Sequence, residues 1–104
     1  MEYLETLRPY RKRINDLDDK IVDLLVERAG IIREVGHLKF AENIPAVLQD
    51  RVDEVRERAA DRAGEQGLDA DLVRQLYAIL IDFSCNLEEE IKADLAAQGK
   101  AASA

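Results

Sequence analysis

The sequence predicts an all-α protein with three helices per chain, a long first helix and an intertwined antiparallel homodimer. Three observations carry this reading. Glycine (5) and proline (2) are scarce among 104 residues, a balance that favours helices over a turn-rich β sandwich. An apolar stripe with steps alternating three and four runs from Leu7 to Leu38. The helix carrying that stripe is too long for a chain of this size to cover.

From Glu2 to about Ala41 no strong breaker intervenes. Pro9 falls in the second turn, where it is either tolerated or marks the true first turn. Gly36 costs about 1 kcal/mol of propensity without stopping the pattern. The stripe reads Leu7, Tyr10, Ile14, Leu17, Ile21, Leu24, Arg28, Ile31, Val35, Leu38. The segment Glu42-Asn43-Ile44-Pro45-Ala46 breaks the helix, because Pro45 pushes Ile44 out of the α region. A second helix is expected from about Leu48 to Ala63, with Leu48, Arg51, Val52, Val55 and Ala59 on its inner face. Gly64-Glu65-Gln66-Gly67 ends it. Asp69 is a good N-cap for the third helix, and Leu68 can staple onto Val73. That helix carries Leu72, Leu76, Ile79, Leu80, Phe83, Leu87 and Ile91, with a second face of Tyr77, Ile81, Ser84, Cys85 and Glu88. Residues 1–95 read as one helical domain, and the tail 96–104, without large apolar residues, is expected to fray.

Forty helical residues span about 60 Å, whereas a compact globule of this length has a radius of gyration of only ~13 Å. The stripe runs the whole way, so something must cover all of it. The simplest cover is the same helix of a second copy, antiparallel about a two-fold axis. The alternative is a shorter helix kinked at Gly36 in a monomeric bundle.

Composition narrows the function. Charged residues make up 36% and the net charge is −7, which argues against nucleic acid or an anionic membrane as partner. No apolar run approaches the ~18–20 residues of a membrane span, and the opening residues hold no apolar signal core. The single Cys85 excludes an internal disulfide and a cysteine-based zinc cluster. The cytoplasm is the expected location, and no cofactor is expected.

Charges on inward faces carry the functional signal. Arg28 occupies a seam position, and Lys39, eleven residues on, points within about 20° of the same direction. Arg51 lies beside Leu48, Val52 and Val55. Glu88 continues the face of Ile81, Ser84 and Cys85. Any one of these cations could snorkel along an apolar rim. Three together, with one carboxyl opposite, call for anions, and Glu27, Asp50 and Asp53 fall on outward faces in this reading. A ligand with two or more carboxylates would supply them. Arg11 lies about 25 Å from Arg28 along one helix, so it could join that pocket only from an antiparallel second copy.

At these residues the chain resembles the all-helical chorismate mutases and their relatives that act on isochorismate or 4-amino-4-deoxychorismate. The resemblance spans about residues 7–92, through Arg11…Ile14…Leu17-Asp18, Leu24-Leu25-Val26-Glu27-Arg28, Val35-Gly36-His37-Leu38-Lys39, Pro45…Arg51, Gly67-Leu68-Asp69 and Ser84…Glu88. It implies an intertwined dimer in which Arg11 of the second copy, Arg28 and Arg51 bind two substrate carboxylates. It implies that Lys39 holds a carboxylate and the ether oxygen, and that Glu88 donates to that oxygen from the other side. Val35, Ile81, Ser84 and Cys85 would complete the pocket. The family often has Gln at the position of Glu88, and Glu donates only when protonated. Relatives that rearrange chorismate usually place acidic residues where this chain has Leu48 and Val52. The segment Ile44-Pro45…Arg51-Val52, with Cys85 and Glu88, is similar to the branch that handles 4-amino-4-deoxychorismate. The implied reaction is a [3,3] Claisen rearrangement. The alternatives are an isochorismate-pyruvate lyase and, from another class, a non-enzymatic helical dimer or regulatory module whose seam arginines only set register. His37 reads as a surface residue, and Cys85 as a pocket wall rather than a nucleophile.

Overall fold

The computed structural model describes residues 2–103, with side chains from 3 to 99. It contains helices α1 (Glu2–Ala41), α2 (Gln49–Glu65) and α3 (Ala70–Ser103), and no strand among the described residues. No described helix is long and apolar enough to cross a membrane. The chain divides into two compact units, one up to Ile31 and one from Ile32 onward.

The first unit is helical from Glu2 on, and Pro9 lies inside the helix rather than at its start. Local pairs decorate it: Arg8 donates to Glu5 at 3.0 Å, Lys12 to Asp16 at 2.8 Å, and the Arg13 guanidinium lies 5.8 Å from the Tyr10 ring centre. Its apolar stripe is exposed, with Leu17 at 58%, Ile21 at 54% and Leu24 at 63%.

In the second unit both helix stops share one device. Asn43 adopts a left-handed conformation (φ 56°), Ile44 N–H donates to Lys39 O at 2.8 Å, and Asn43 N–H to Phe40 O at 3.3 Å. Gly67 (φ 81°) repeats this, with Leu68 N–H to Ala63 O and Gly67 N–H to Gly64 O. Each is a Schellman ending, which satisfies carbonyls a helix leaves open. The first stop was ascribed to Pro45 alone; the left-handed Asn43 makes the turn, and Pro45 follows it. Asp69 caps α3 as expected, its Oδ1 accepting from Asp71 N–H at 2.9 Å and Leu72 N–H at 3.3 Å. Helix α3 runs through Ser103, across most of the tail expected to fray, and residue 104 lies outside the described residues.

The core of this unit is thin: Ala46, Ala60, Ala63, Val73 and Ile81 are buried, with Ser84 and Glu88 beside them. The inner face of α2 differs from the expected one. Ala60 and Ala63 are buried, Val52, Val55 and Ala59 are half-buried, and Leu48 and Arg51 are exposed. The small alanines let α2 approach α3 closely, so the packed face turns toward them. Arg74 of α3 donates to Glu57 of α2 at 2.8 Å. Arg56 and Arg74 together hold the Glu57 carboxyl below its ordinary range, so this pairing supports the fold at neutral pH and is lost as acid protonates Glu57.

Gly36 is buried, and a Cβ there would lie 3.3 Å from Ile91 Cδ1 and 3.4 Å from Ile91 Cβ. Ile91 Cβ is fixed to α3 and cannot rotate away. Gly36→Ala adds about 1 kcal/mol of helix propensity, but overpacking costs about 1–3 kcal/mol. A net loss is expected, read as a melting temperature lowered by about 5 °C.

Candidate active site

The centre of the candidate site lies in the second unit. Lys39, in the last turn of α1, places its ammonium 2.6 Å from Glu88 Oε1. The pair is shielded, with side-chain exposures of 15% and 6%. Lys39 Nζ also donates to Ala46 O at 2.9 Å. Glu88 Oε1 is buried, and the Lys39 ammonium is the charged group that meets it. One turn earlier on α3, the buried Ser84 donates to Leu80 O at 2.8 Å. Cys85 stands between them, half-buried. Burial pushes its thiol above the ordinary range, and the Glu88 carboxylate adds to that while Lys39 opposes it. A thiol held protonated is a poor nucleophile.

Of the other residues expected to line the pocket, Ile81 is buried and Val35 half-buried. On α2, Val52 is half-buried and Leu48 is 42% exposed. Arg51 departs from the sequence reading: it is exposed and donates to Glu54 at 2.9 Å. The expectation that the inward cations lack protein anions is also corrected. Lys39 has Glu88, and Arg51 turns to Glu54 three residues on. Long cationic side chains find local carboxylates when nothing else presents one. His37 is exposed. In the first unit, Arg11 lines a shallow surface cleft with Arg8, Lys12 and Asn15, and Arg28 is half-buried.

One residue escaped the sequence reading. Lys92, one turn beyond Glu88, donates to Ile44 O at 2.6 Å. The available signal was the four-residue spacing from Glu88, which puts both on one face of α3.

Residues 10–89 match the family described as chorismate mutase type II. The 4-amino-4-deoxychorismate mutase of Streptomyces pristinaespiralis is 29% identical over 86 residues, covering 83% of this chain and 67% of that protein. The chorismate mutase of Methanocaldococcus jannaschii is 26% identical over 87 residues, covering 84% and 88%. The 4-amino-4-deoxychorismate mutase of Streptomyces venezuelae is 28% identical over 83 residues, covering 80% and 81%. The chain belongs to the chorismate mutase type II family, and its relatives there are isomerases.

Removing Lys39 alone should be costly. Lys39→Met leaves a buried carboxylate without its cation, and breaking such a pair costs about 3–5 kcal/mol. Lys39→Met with Glu88→Gln should regain most of that loss in denaturant unfolding, because no uncompensated charge remains.

Proposed function

We propose that the chain catalyses the [3,3] rearrangement of a chorismate-type dicarboxylate, with 4-amino-4-deoxychorismate as its substrate. The observation that carries this is the shielded Lys39–Glu88 pair, set in a chain of the chorismate mutase type II family. The substrate choice is supported by the two Streptomyces relatives that bear that name.

The reaction breaks a C–O bond as it forms a C–C bond and requires no nucleophile. Arg28 and Arg51, with Arg11 of a second copy, hold the two carboxylates so that the enolpyruvyl arm folds over the ring. Arg51 exchanges Glu54 for a substrate carboxylate. The Lys39 ammonium has three protons, of which one serves Ala46 O. Another meets the ether oxygen as charge develops there; Glu88, paired with Lys39 in the free chain, donates to the same oxygen once it has taken up a proton with the substrate in place. A millionfold acceleration requires about 8 kcal/mol, a magnitude that positioning and electrostatic stabilisation supply together.

The functional unit in this proposal is an antiparallel homodimer of one helical domain, residues 1–95. Tyr10, Ile14, Leu17, Ile21 and Leu24 are each more than half exposed in the single chain. No large side chain among the described residues is fully buried. A second copy with the same stripe is the cover that matches it along its whole length.

Parallel incubation with 4-amino-4-deoxychorismate, chorismate and isochorismate tests the reading. The expected product is 4-amino-4-deoxyprephenate, with chorismate turned over more slowly. Pyruvate release would mark a lyase instead, and no turnover with no binding would leave a non-enzymatic dimer. Glu88→Gln keeps a hydrogen-bond donor beside the ether oxygen and should stay active, whereas Glu88→Ala, which has none, should lose most turnover. An alanine variant as active as the wild type would remove Glu88 from the reaction.

The shared site has its own test. Arg11→Ala and Arg28→Ala homodimers should each be nearly inactive. After subunit exchange, each heterodimer should regain one intact site. Activity that does not recover on mixing would place Arg11 outside the pocket.

A further inference from the structure

We infer that Lys92 is a positioning residue, which clamps the α1–α2 connection and thereby aims Lys39 and the start of α2. The inference deepens the proposed function and rests on it for its catalytic consequence.

The start of α2 has no anchor of its own. Its N-cap is Leu48, which offers no side-chain hydrogen bond, whereas Ser, Thr, Asp or Asn would hold one of the open N–H groups. Beyond the packing of α2 on α3, what can fix its first turn is the connection before it. Two ammonium groups do so, from two different helices. Lys92 of α3 donates to Ile44 O at 2.6 Å, and Lys39 of α1 donates to Ala46 O at 2.9 Å. Pro45, between them, has a fixed φ and no N–H of its own. The Lys39 main chain completes the frame, its carbonyl accepting from Ile44 N–H at 2.8 Å.

The two clamps differ in what substrate does to them. Lys39 must turn part of its hydrogen bonding toward the ligand. Lys92 has no such duty, so it can hold Ile44 while Lys39 engages the ether oxygen. The Ala46 carbonyl, two residues along, then stays where it orients the Lys39 ammonium against Glu88. Lys92 touches no reacting atom in this arrangement and acts through Lys39.

Lys92→Met removes the donor and keeps most of the apolar stem, and Lys92→Arg restores a cationic donor. Hydrogen exchange at the Ile44 amide reads the clamp without any substrate. In Lys92→Met it should quicken about tenfold, the size expected for a lost charged hydrogen bond. Under substrate saturation kcat should fall about tenfold with KM changed less than threefold, because Lys39 acts in the transition state. Lys92→Arg should recover most of both. Should Lys92→Met not fold, Lys92→Gln carries the same measurements. Unchanged exchange at Ile44 overturns the inference whatever the activity. Faster exchange with wild-type kcat and KM overturns the positioning role. If the wild-type protein turns over none of the three substrates, the proposed function fails, while the exchange result still decides the clamp.

Discussion

Apolar surface that a single chain does not cover is the constraint from which the rest follows. Leu7, Tyr10, Ile14, Leu17, Ile21 and Leu24 form a regular stripe, and all are exposed. A second stripe, Leu72, Leu76, Ile79 and Phe83, stands exposed on α3 at the same helical spacing. Burying one such side chain gains about 1.5–3 kcal/mol, so leaving all of them in water forgoes more than the whole stability of an ordinary small domain. The buried residues do not compensate, since three of the five are alanines. Stability and catalysis are therefore coupled in the proposed dimer: the contact that makes the fold stable also delivers Arg11 to the site.

Within so thin a core, a shielded ion pair has little claim as a stabilising device. Desolvating Lys39 and Glu88 costs several kcal/mol, and two apolar residues of similar volume would commonly fold as well or better. Ser84 adds a further buried polar group on the same face of α3. Polar groups concentrated where packing would prefer apolar ones are better explained by what they bind. In the proposed reaction, the pairing of Lys39 with Glu88 serves as the resting arrangement, in which each charge neutralises the other until the ligand's carboxylates and ether oxygen arrive.

The fold was legible because the seam of α1 repeats with a clear period and because Asp69 and the two connections carry strong local signals. The packed face of α2 was less so. Periodicity reports where large apolar side chains fall, and α2 packs through Ala60 and Ala63, whose small side chains weigh little in that pattern. The helix stop fell where the segment 42–46 placed it, but Pro45 is conspicuous in a sequence, whereas the left-handed backbone of Asn43 that makes the turn is a property of the folded chain. Lys39, Ser84 and Glu88 read as inward from their helical faces; Ser84 and Glu88 are buried, and Lys39 meets Glu88. Arg51 was assigned inward because its neighbours are apolar. Its length lets it reach Glu54 instead, and spacing alone does not rank two carboxylates competing for one guanidinium. Lys92 was invisible because its partner is a main-chain carbonyl 48 residues away, which no residue pattern announces.

A rearrangement that requires no nucleophile shifts the burden of catalysis onto placement. When a protein supplies only fixed charges, an error of about 1 Å in a cation can cost as much as losing a catalytic group elsewhere. Lysine is a flexible point charge on four methylenes, and it aims poorly unless something holds its head. Here the holding groups are a backbone carbonyl and a carboxylate, Ala46 O and Glu88. The carbonyl is only as steady as the connection that carries it, and α2 begins without a cap just beyond. In the proposed mechanism, precision at Lys39 therefore traces back to how firmly residues 44–46 are fastened, and this short loop weighs on the chemistry as heavily as the charged side chains themselves.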